Sequence, residues 1–319
     1  MDKPLKGFWA VTCYFNPARY STKLANYRVF RRMLRVPLVA VELGFGGRFE
    51  LGPQDAEILI QLSDGDVMWQ KERLLNLGIG RLPRECDFVA WLDCDILFGQ
   101  PDWPARAVRA LARAPICQLY RTVHHLRRGV AAANAEAAVA SHESIGYAAA
   151  AGLSAPVMSL APARPHIYKR GHAWCARRDF LERYALYDRN ILGGGDRLLA
   201  HGILGQAEEV IANDRMTPAH AEDYRRWISA VRRAATTITY IEGDIYHLWH
   251  GDLHQRGYWT RLSILSEFQY DPAVDIRLSP EGCWKWSSPK AEMHRRIREY
   301  FYTRHEDGDG PAPASMKGH

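Results

Sequence analysis

Three Asp-x-Asp pairs occur in this 319-residue chain: Asp64/Asp66, Asp93/Asp95 and Asp307/Asp309. Short motifs of this kind arise by chance, so context has to decide among them. Only Asp93-Cys94-Asp95 follows a run that reads as a buried strand, DFVAWLDCDILF. In an open α/β sheet, ligands bind beyond the carboxyl ends of the strands. Alternate side chains at a strand end point the same way, and two carboxylates there can hold a hard divalent cation that also binds a diphosphate. The same reading makes Asp64/Asp66 a turn plus helix cap and Asp307/Asp309 part of a solvated tail.

The elements that must position such a pair alternate along the first half of the chain. Apolar runs at Phe8–Tyr14, Leu38–Glu42, Ile58–Leu62, Phe88–Leu92 and Ile116–Tyr120 read as strands. Helical patterns lie between them at 22–35, 67–77 and 104–113, the second with Asp66 as N-cap. This alternation predicts a mainly parallel sheet with helices on both faces. Beyond it, AAANAEAAVA reads as helix and the Pro-punctuated stretch up to 165 as a loop, a common place for a substrate lid. A helix over DFLERYALY leads to ILGGGD and a further helix. TTITYIEGDIYHLW reads as strand, PKAEMHRRIREYFYTR as a basic amphipathic helix, and the last fourteen residues, from Glu306, as a frayed tail.

Composition bounds the classes. The chain is 47% hydrophobic and 24% charged, with 25 Gly and 17 Pro, which excludes collagen-like, low-complexity and disordered sequences. A net charge of +6 suits an anionic ligand but lacks the like-charge blocks of nucleic-acid arms, so no nucleic-acid partner is expected. No apolar run approaches the ~18 residues of a membrane span. The opening MDKPLKGFWAVTCYF reads as a first strand and not a signal peptide. Six scattered cysteines without a CxxC suggest reduced thiols and a cytoplasmic protein.

WLDCDILF resembles the acidic signature of metal-dependent nucleotide-sugar glycosyltransferases of the A-type fold, and three other segments extend the resemblance. MWQKERLLNLGI is similar to the FNRAKLLNVGF segment of the β-1,4-galactosyltransferase group. GHAWCARRDFLERYALYDRNILGGGD resembles that group's run from a glycine through a helix to WGGEDD. YHLWHGDLHQRGYWTR resembles the histidine segment that completes the metal site. The four stand in the expected order over about 8–262.

The resemblance implies roles. Asp95 becomes the main metal ligand, and Asp93 contacts the ribose or the metal's waters. One of His247 and His250 adds a ligand, with His250 favoured because Gly251 permits close backbone approach. His-x-x-His spacing does not place both on one strand face. Tyr14 and Asn16, at the end of the first strand, would cradle the nucleoside, and Glu42 would accept from a uracil N–H. Trp69 matches the family's aromatic. Lys71 stands where the family has a phosphate-binding arginine, keeping the cation and losing the bidentate fork. Asp196 becomes the base that deprotonates an acceptor hydroxyl, or alternatively an ordinary helix cap. Arg256 and Arg261 would clamp the diphosphate. His172 or Trp174 would stack on a sugar or belong to the core, and Tyr120 and Arg121 would face the acceptor. GGGDRLL departs from the family's acidic run, so donor identity does not carry over.

The resulting expectation is an α/β, Rossmann-like A-type glycosyltransferase domain over 1–262, a C-terminal helical extension over 263–305 and a tail over 306–319. It would use Mn²⁺ or Mg²⁺ to move a sugar from a nucleoside diphosphate sugar, with UDP favoured, to a glycan, lipid-linked or protein hydroxyl, with inversion. The basic C-terminal helix could touch an anionic membrane from the cytoplasmic side. Alternatives are a nucleotidyltransferase of related fold, for which NPARYSTK is a poor glycine-rich loop, and a non-catalytic nucleotide-sugar binder. A phosphohydrolase with Asp93 as nucleophile fits poorly at Leu97.

Overall fold

The computed structural model describes residues 7–153, 168–257 and 260–308. In chain order the first strands and helices are β1 (Phe8–Phe15), α1 (Ser21–Met33), β2 (Leu38–Leu43), β3 (Ile58–Leu62), α2 (Lys71–Ile79), β4 (Phe88–Leu92), β5 (Ile96–Phe98) and α3 (Trp103–Leu111). The middle of the chain forms β6 (Ile116–Gln118), β7 (Thr122–Leu126), β8 (Ala138–Ser144), α4 (Ile145–Ala150), β9 (Tyr168–Lys169), β10 (Ala173–Arg177) and α5 (Arg178–Tyr184). Then come α6 (Gly195–Ile203), α7 (Ala207–Asn213), α8 (Pro218–Arg232), β11 (Thr239–Tyr240) and β12 (Asp244–His247). The last elements are α9 (Ser263–Glu267), the hairpin β13 (Ile276–Leu278) and β14 (Trp284–Trp286), and α10 (Ala291–Tyr302).

The expected α/β architecture is present. A seven-stranded sheet runs β11-β6-β10-β4-β1-β2-β3, parallel except for β10, which is antiparallel to β4 and β6. Its strands are apolar on both faces because both faces are covered. Val11, Val39, Val41, Val89 and Trp91 enter one core; Ala10, Leu38, Ala40, Ala90 and Leu92 enter the other. Helix α2 lies close on β1 and β2, where a Cβ at Gly78 would stand only 2.6 Å from Val11 Cγ1. A second sheet, β5-β12-β7-β8-β9, sits beyond the end of β4.

Several expectations change. Helix α2 starts at Lys71, not 67, and Asp66 does not cap it; its carboxylate accepts from the Trp286 N–H. Asp64 pairs with Lys285 at 2.6 Å. AAANAEAAVA is not an α-helix: Ala135–Ala137 make one 3₁₀ turn and Ala138 opens β8, which pairs with β7. Alanine's helix propensity yields there to sheet hydrogen bonds. The helix of this region, α4, begins later, and 154–165 lie outside the described residues. Glu306–Gly308 are not frayed: Glu306 is buried, and Asp307 accepts from the backbone N–H groups of Ser21 and Thr22 at the start of α1. Asp309 and the residues after it lie outside the described residues. Two of the three arginines on α10 are matched, Arg295 by Glu292 and Glu299, Arg296 by Glu267. Among the described residues no helix is long and apolar enough to cross a membrane, and all six cysteines are free thiols.

Two buried histidines away from the acidic pair give the fold a pH dependence. His201 accepts from Arg170 Nε at Nε2 (2.9 Å) and faces Gln206 Oε1 through Nδ1 (2.7 Å), which holds it neutral. Burial pushes His201 down to about 3 and His220 down to about 4. Both are depressed below an unfolded value of 6.5, so below that pH the unfolded chain takes up protons that the folded one does not. Their contribution is complete above the unfolded pKa and is lost as the pH falls. Denaturant titrations at pH 7 and pH 5 should differ by roughly 2 kcal/mol per histidine at these two sites. The difference should shrink by roughly 2 kcal/mol in His220→Gln; equal loss in both proteins would refute the assignment.

Candidate active site

A cavity of about 490 Å³ opens beyond the carboxyl ends of β1 and β4. Asp93, Asp95, Asp196, Lys71, Trp69, His247, His250, Arg256 and Arg261 all line it. Residues from four separate stretches of sequence thus meet in one place.

The topology explains the first corner. β4 ends at Leu92, and the chain turns through Asp93-Cys94-Asp95 into β5. β12 pairs antiparallel to β5 with His247 opposite Ile96, and the Leu248 N–H donates to Asp95 O at 2.8 Å. This seats the histidine segment against Asp95. His250 Nε2 stands 3.1 Å from Asp95 Oδ2, His247 Nε2 stands 3.7 Å from Oδ1, and the two Nε2 atoms are 3.0 Å apart. One ligand atom from each of the three residues fits within 4.8 Å. Asp95 Oδ1 is buried without a hydrogen-bond donor, an acceptor left available in a desolvated place. Burial lifts the Asp95 carboxyl above its ordinary range, and Asp93 adds to that. Burial, reinforced by the crowding of neighbouring histidines, keeps His247 neutral, so its ring can offer a lone pair to a cation. The strand ends at His247, so strand alternation does not govern His250, and both rings face Asp95.

Asp93 does not join that trio. Its Oδ1 lies 2.6 Å from Lys71 Nζ and its Oδ2 lies 3.7 Å from His172 Nδ1. His172 is brought there by β10: the Asp93 N–H donates to His172 O, and Ala173 pairs with Leu92. Lys71, the first residue of α2, also contacts Asp196 Oδ2 at 2.8 Å, so one ammonium bridges two carboxylates. Burial alone would lower Lys71, but Asp196, Asp93 and Glu72 outweigh it and hold it charged. Asp196 is raised by burial and by Asp93, with Lys71 opposing.

Asp196 sits in the first turn of α6, whose cap is Gly194 with φ 99°; the Asp196 side chain makes no cap hydrogen bond. It goes to Lys71 instead, so the ordinary-cap alternative does not describe it. Gly193 and Gly194 adopt positive φ, and a Cβ at Gly195 would stand 2.3 Å from Glu72 Oε1. That is the local reason for three glycines in a row.

The opposite wall is aromatic and cationic. Trp69 packs between Phe15 and Phe301, with the Arg261 and Arg304 guanidiniums 5.6 and 5.5 Å from its ring. Arg256 Nη2 lies 2.9 Å from His250 Nε2. The lining carries eight Lys and Arg side chains against four Asp and Glu, an environment for a polyanion.

Of the three expected nucleoside contacts, two lie elsewhere and the third is already engaged. On β1, Cys13 and Phe15 face the cavity, so alternation turns Tyr14 away; its hydroxyl donates to Glu50, and its ring packs on Tyr27. Glu42 is 2% exposed and accepts from Glu50 N, Leu51 N and Gln61 Nε2, fastening a loop and not a ligand. Asn16 borders the cavity, but its amide is engaged by Tyr20 and Glu50. Trp174 is core, stacked on Trp91, and the Tyr120 hydroxyl donates to Gly171 O. Arg121 pairs with Glu143 outside the cavity. Several lining residues were not anticipated, among them His125 on β7, Arg304 and Glu306.

No family model matches the sequence, and no curated protein does either. Solved structures resemble it at low identity. A fragment of S. aureus TarS (residues 1–349) aligns at 13% identity and TM-score 0.37, over 93% of this chain and 71% of that one. The mannosyltransferase PcManGT of Pyrobaculum calidifontis, solved with GDP-Man and Mn²⁺, aligns at 13% and 0.37, over 83% and 62%. The catalytic domain of Drosophila β1,4-galactosyltransferase 7, solved with xylobiose, gives 11% and 0.30, over 73% and 64%. At this similarity no residue role transfers from them, and function has to be read from the cavity itself.

Proposed function

We propose that this chain is a glycosyltransferase that moves a sugar from a nucleoside diphosphate sugar to an acceptor hydroxyl. One observation carries the reading: a cation-ready trio, Asp95, His247 and His250, shares a single basic cavity with the carboxylate pair Asp93 and Asp196 bridged by Lys71. One carboxylate and two imidazoles suit Mn²⁺ better than Mg²⁺, which prefers oxygen donors throughout. A cation held there would act as a Lewis acid on the departing diphosphate.

The chain's own groups supply the rest. Lys71 and Arg256 offer positive charge to the diphosphate oxygens. Asp196 receives the acceptor's hydroxyl proton on its carboxylate as the hydroxyl oxygen bonds to the sugar's anomeric carbon, and later gives it to solvent. Attack from the face opposite the diphosphate makes the transfer inverting. Trp69 offers an aromatic surface, and burial of the cavity strengthens each of these electrostatic contacts. With Glu42 committed to its loop, uracil loses its nominated partner; UDP remains the first donor to try and GDP the second.

Thermal melts with UDP, GDP and CDP, with and without Mn²⁺, test this without a known acceptor, because a ligand of the folded state raises the melting temperature by mass action. One nucleotide should stabilise the protein, and only with metal; at 100 times its Kd the gain is about 2.7 kcal/mol. Absence of a shift with all three nucleotides would refute the donor assignment.

A further inference from the structure

The two histidines of the trio are each backed, on the ring nitrogen turned away from Asp95, by a residue from a different part of the chain. β12 pairs parallel to β7 with His247 opposite His125, and the two Nδ1 atoms lie 3.1 Å apart. His250 Nδ1 faces Glu306 Oε1 at 3.8 Å. Both backing residues are buried, His125 at 7% exposure and Glu306 at 3%.

Glu306 is held in place by a fastened segment, residues 301–308. Arg304 pairs with Glu306 at 2.6 Å. The Tyr20 hydroxyl donates to Tyr302 O and accepts from the His305 N–H. Asp307 accepts from Ser21 and Thr22, and Phe301 stacks on Trp69. The strap lies directly on the histidine segment: a Cβ at Gly251 would stand 2.8 Å from His305 O and 3.0 Å from Arg304 O. Arg256 Nη2 lies over the His250 ring, 2.9 Å from Nε2, 3.1 Å from Nδ1 and 3.3 Å from the His250 carbonyl.

We propose that His125 and Glu306 are positioning residues that fix the Nδ1–H form of His247 and His250, so that both rings present the Nε2 lone pair to a divalent cation. A metal-bound histidine characteristically donates its other N–H to a carboxylate or another acceptor, which sets the tautomer and ring orientation. Glu306 offers a carboxylate to one ring, and His125 Nδ1 offers an imidazole lone pair to the other. The C-terminal strap is thereby part of the cation site, and not an appendage to it. This rests on the cation reading of the trio given above.

Mn²⁺ titration by electron paramagnetic resonance, on the full chain, tests it. His125→Phe and Glu306→Gln should each weaken Mn²⁺ binding about 10–100-fold, the range for loss of such outer partners. Glu306→Asp should recover part of the loss. Wild-type affinity in both variants, with Asp95→Ala not binding, overturns the positioning roles and leaves the site intact. No Mn²⁺ binding by the wild type overturns the cation reading itself.

A second measurement needs no variant to fold. In ¹⁵N-histidine-labelled wild-type protein loaded with Cd²⁺, the coordinated rings should both be Nδ1–H tautomers. An Nε2–H form on either ring would overturn the proposal.

Discussion

Asp95→Ala is expected to lose Mn²⁺ binding by more than about 100-fold, beyond what loss of an outer partner costs. The metal-dependent nucleotide shift should vanish with it. Asp95 is the only acid of the trio, and its backbone carbonyl also receives the Leu248 N–H that seats the histidines. The substitution removes the carboxylate and keeps that backbone contact, so the site should stay assembled. The metal-free protein should melt no lower than wild type. A buried carboxylate oxygen with no donor, on a group already lifted by burial and by Asp93, stabilises nothing until a cation arrives. Unchanged stability together with lost metal response would mark Asp95 as a residue kept for binding. Mn²⁺ affinity within twofold of wild type would remove it from the site.

What could be read ahead of the structure follows from what periodicity encodes. The strands Phe8–Phe15, Leu38–Leu43 and Phe88–Leu92 were legible because a doubly covered strand must be apolar throughout. The place of Asp93 and Asp95 followed, since it lies where β4 ends. The direction of the side chains did not. Tyr14 and Glu42 stand near the right strand ends, but each faces into loop and helix packing that only the fold determines. The Asp pair divides between two partners because 93–95 form a turn and not a continued strand.

His125 shows a different limit. Its strand pairs with β12, which lies about 120 residues further along, and no local pattern announces that register. Glu306 sits among small and charged residues that have the composition of a tail; its burial comes from Arg304, Tyr20 and the start of α1. Ala138–Ala140 end a stretch that reads as helix by composition and open a strand because β7 offers them a partner. Gly251 was expected to favour His250 as a ligand by permitting close backbone approach; what comes close to it, at φ 85°, is the strap, which the sequence did not announce.

Asp196→Asn is expected to lower kcat by about 10²–10⁴-fold, the usual contribution of a positioned general base, while Mn²⁺-dependent nucleotide binding survives. The substitution is nearly isosteric and spares the helix, because α6 is capped by Gly194 and the Asp196 side chain makes no cap bond. Lys71 stays held by Asp93 at 2.6 Å, so the diphosphate corner keeps its cation. The pH profile carries the stronger evidence. Burial and Asp93 raise the Asp196 pKa, and Lys71 only partly opposes them. A base must be ionised to accept a proton, so activity should fall as the pH drops through this raised pKa, at a pH above the ordinary carboxylate range. That acidic limb should be absent from the residual rate of Asp196→Asn. Lys71→Met should move the limb further up, because it removes the charge that favours the carboxylate. If Asp196→Asn keeps the wild-type rate while Asp95→Ala abolishes nucleotide binding, the cation reading stands and the proton must leave the acceptor by another group.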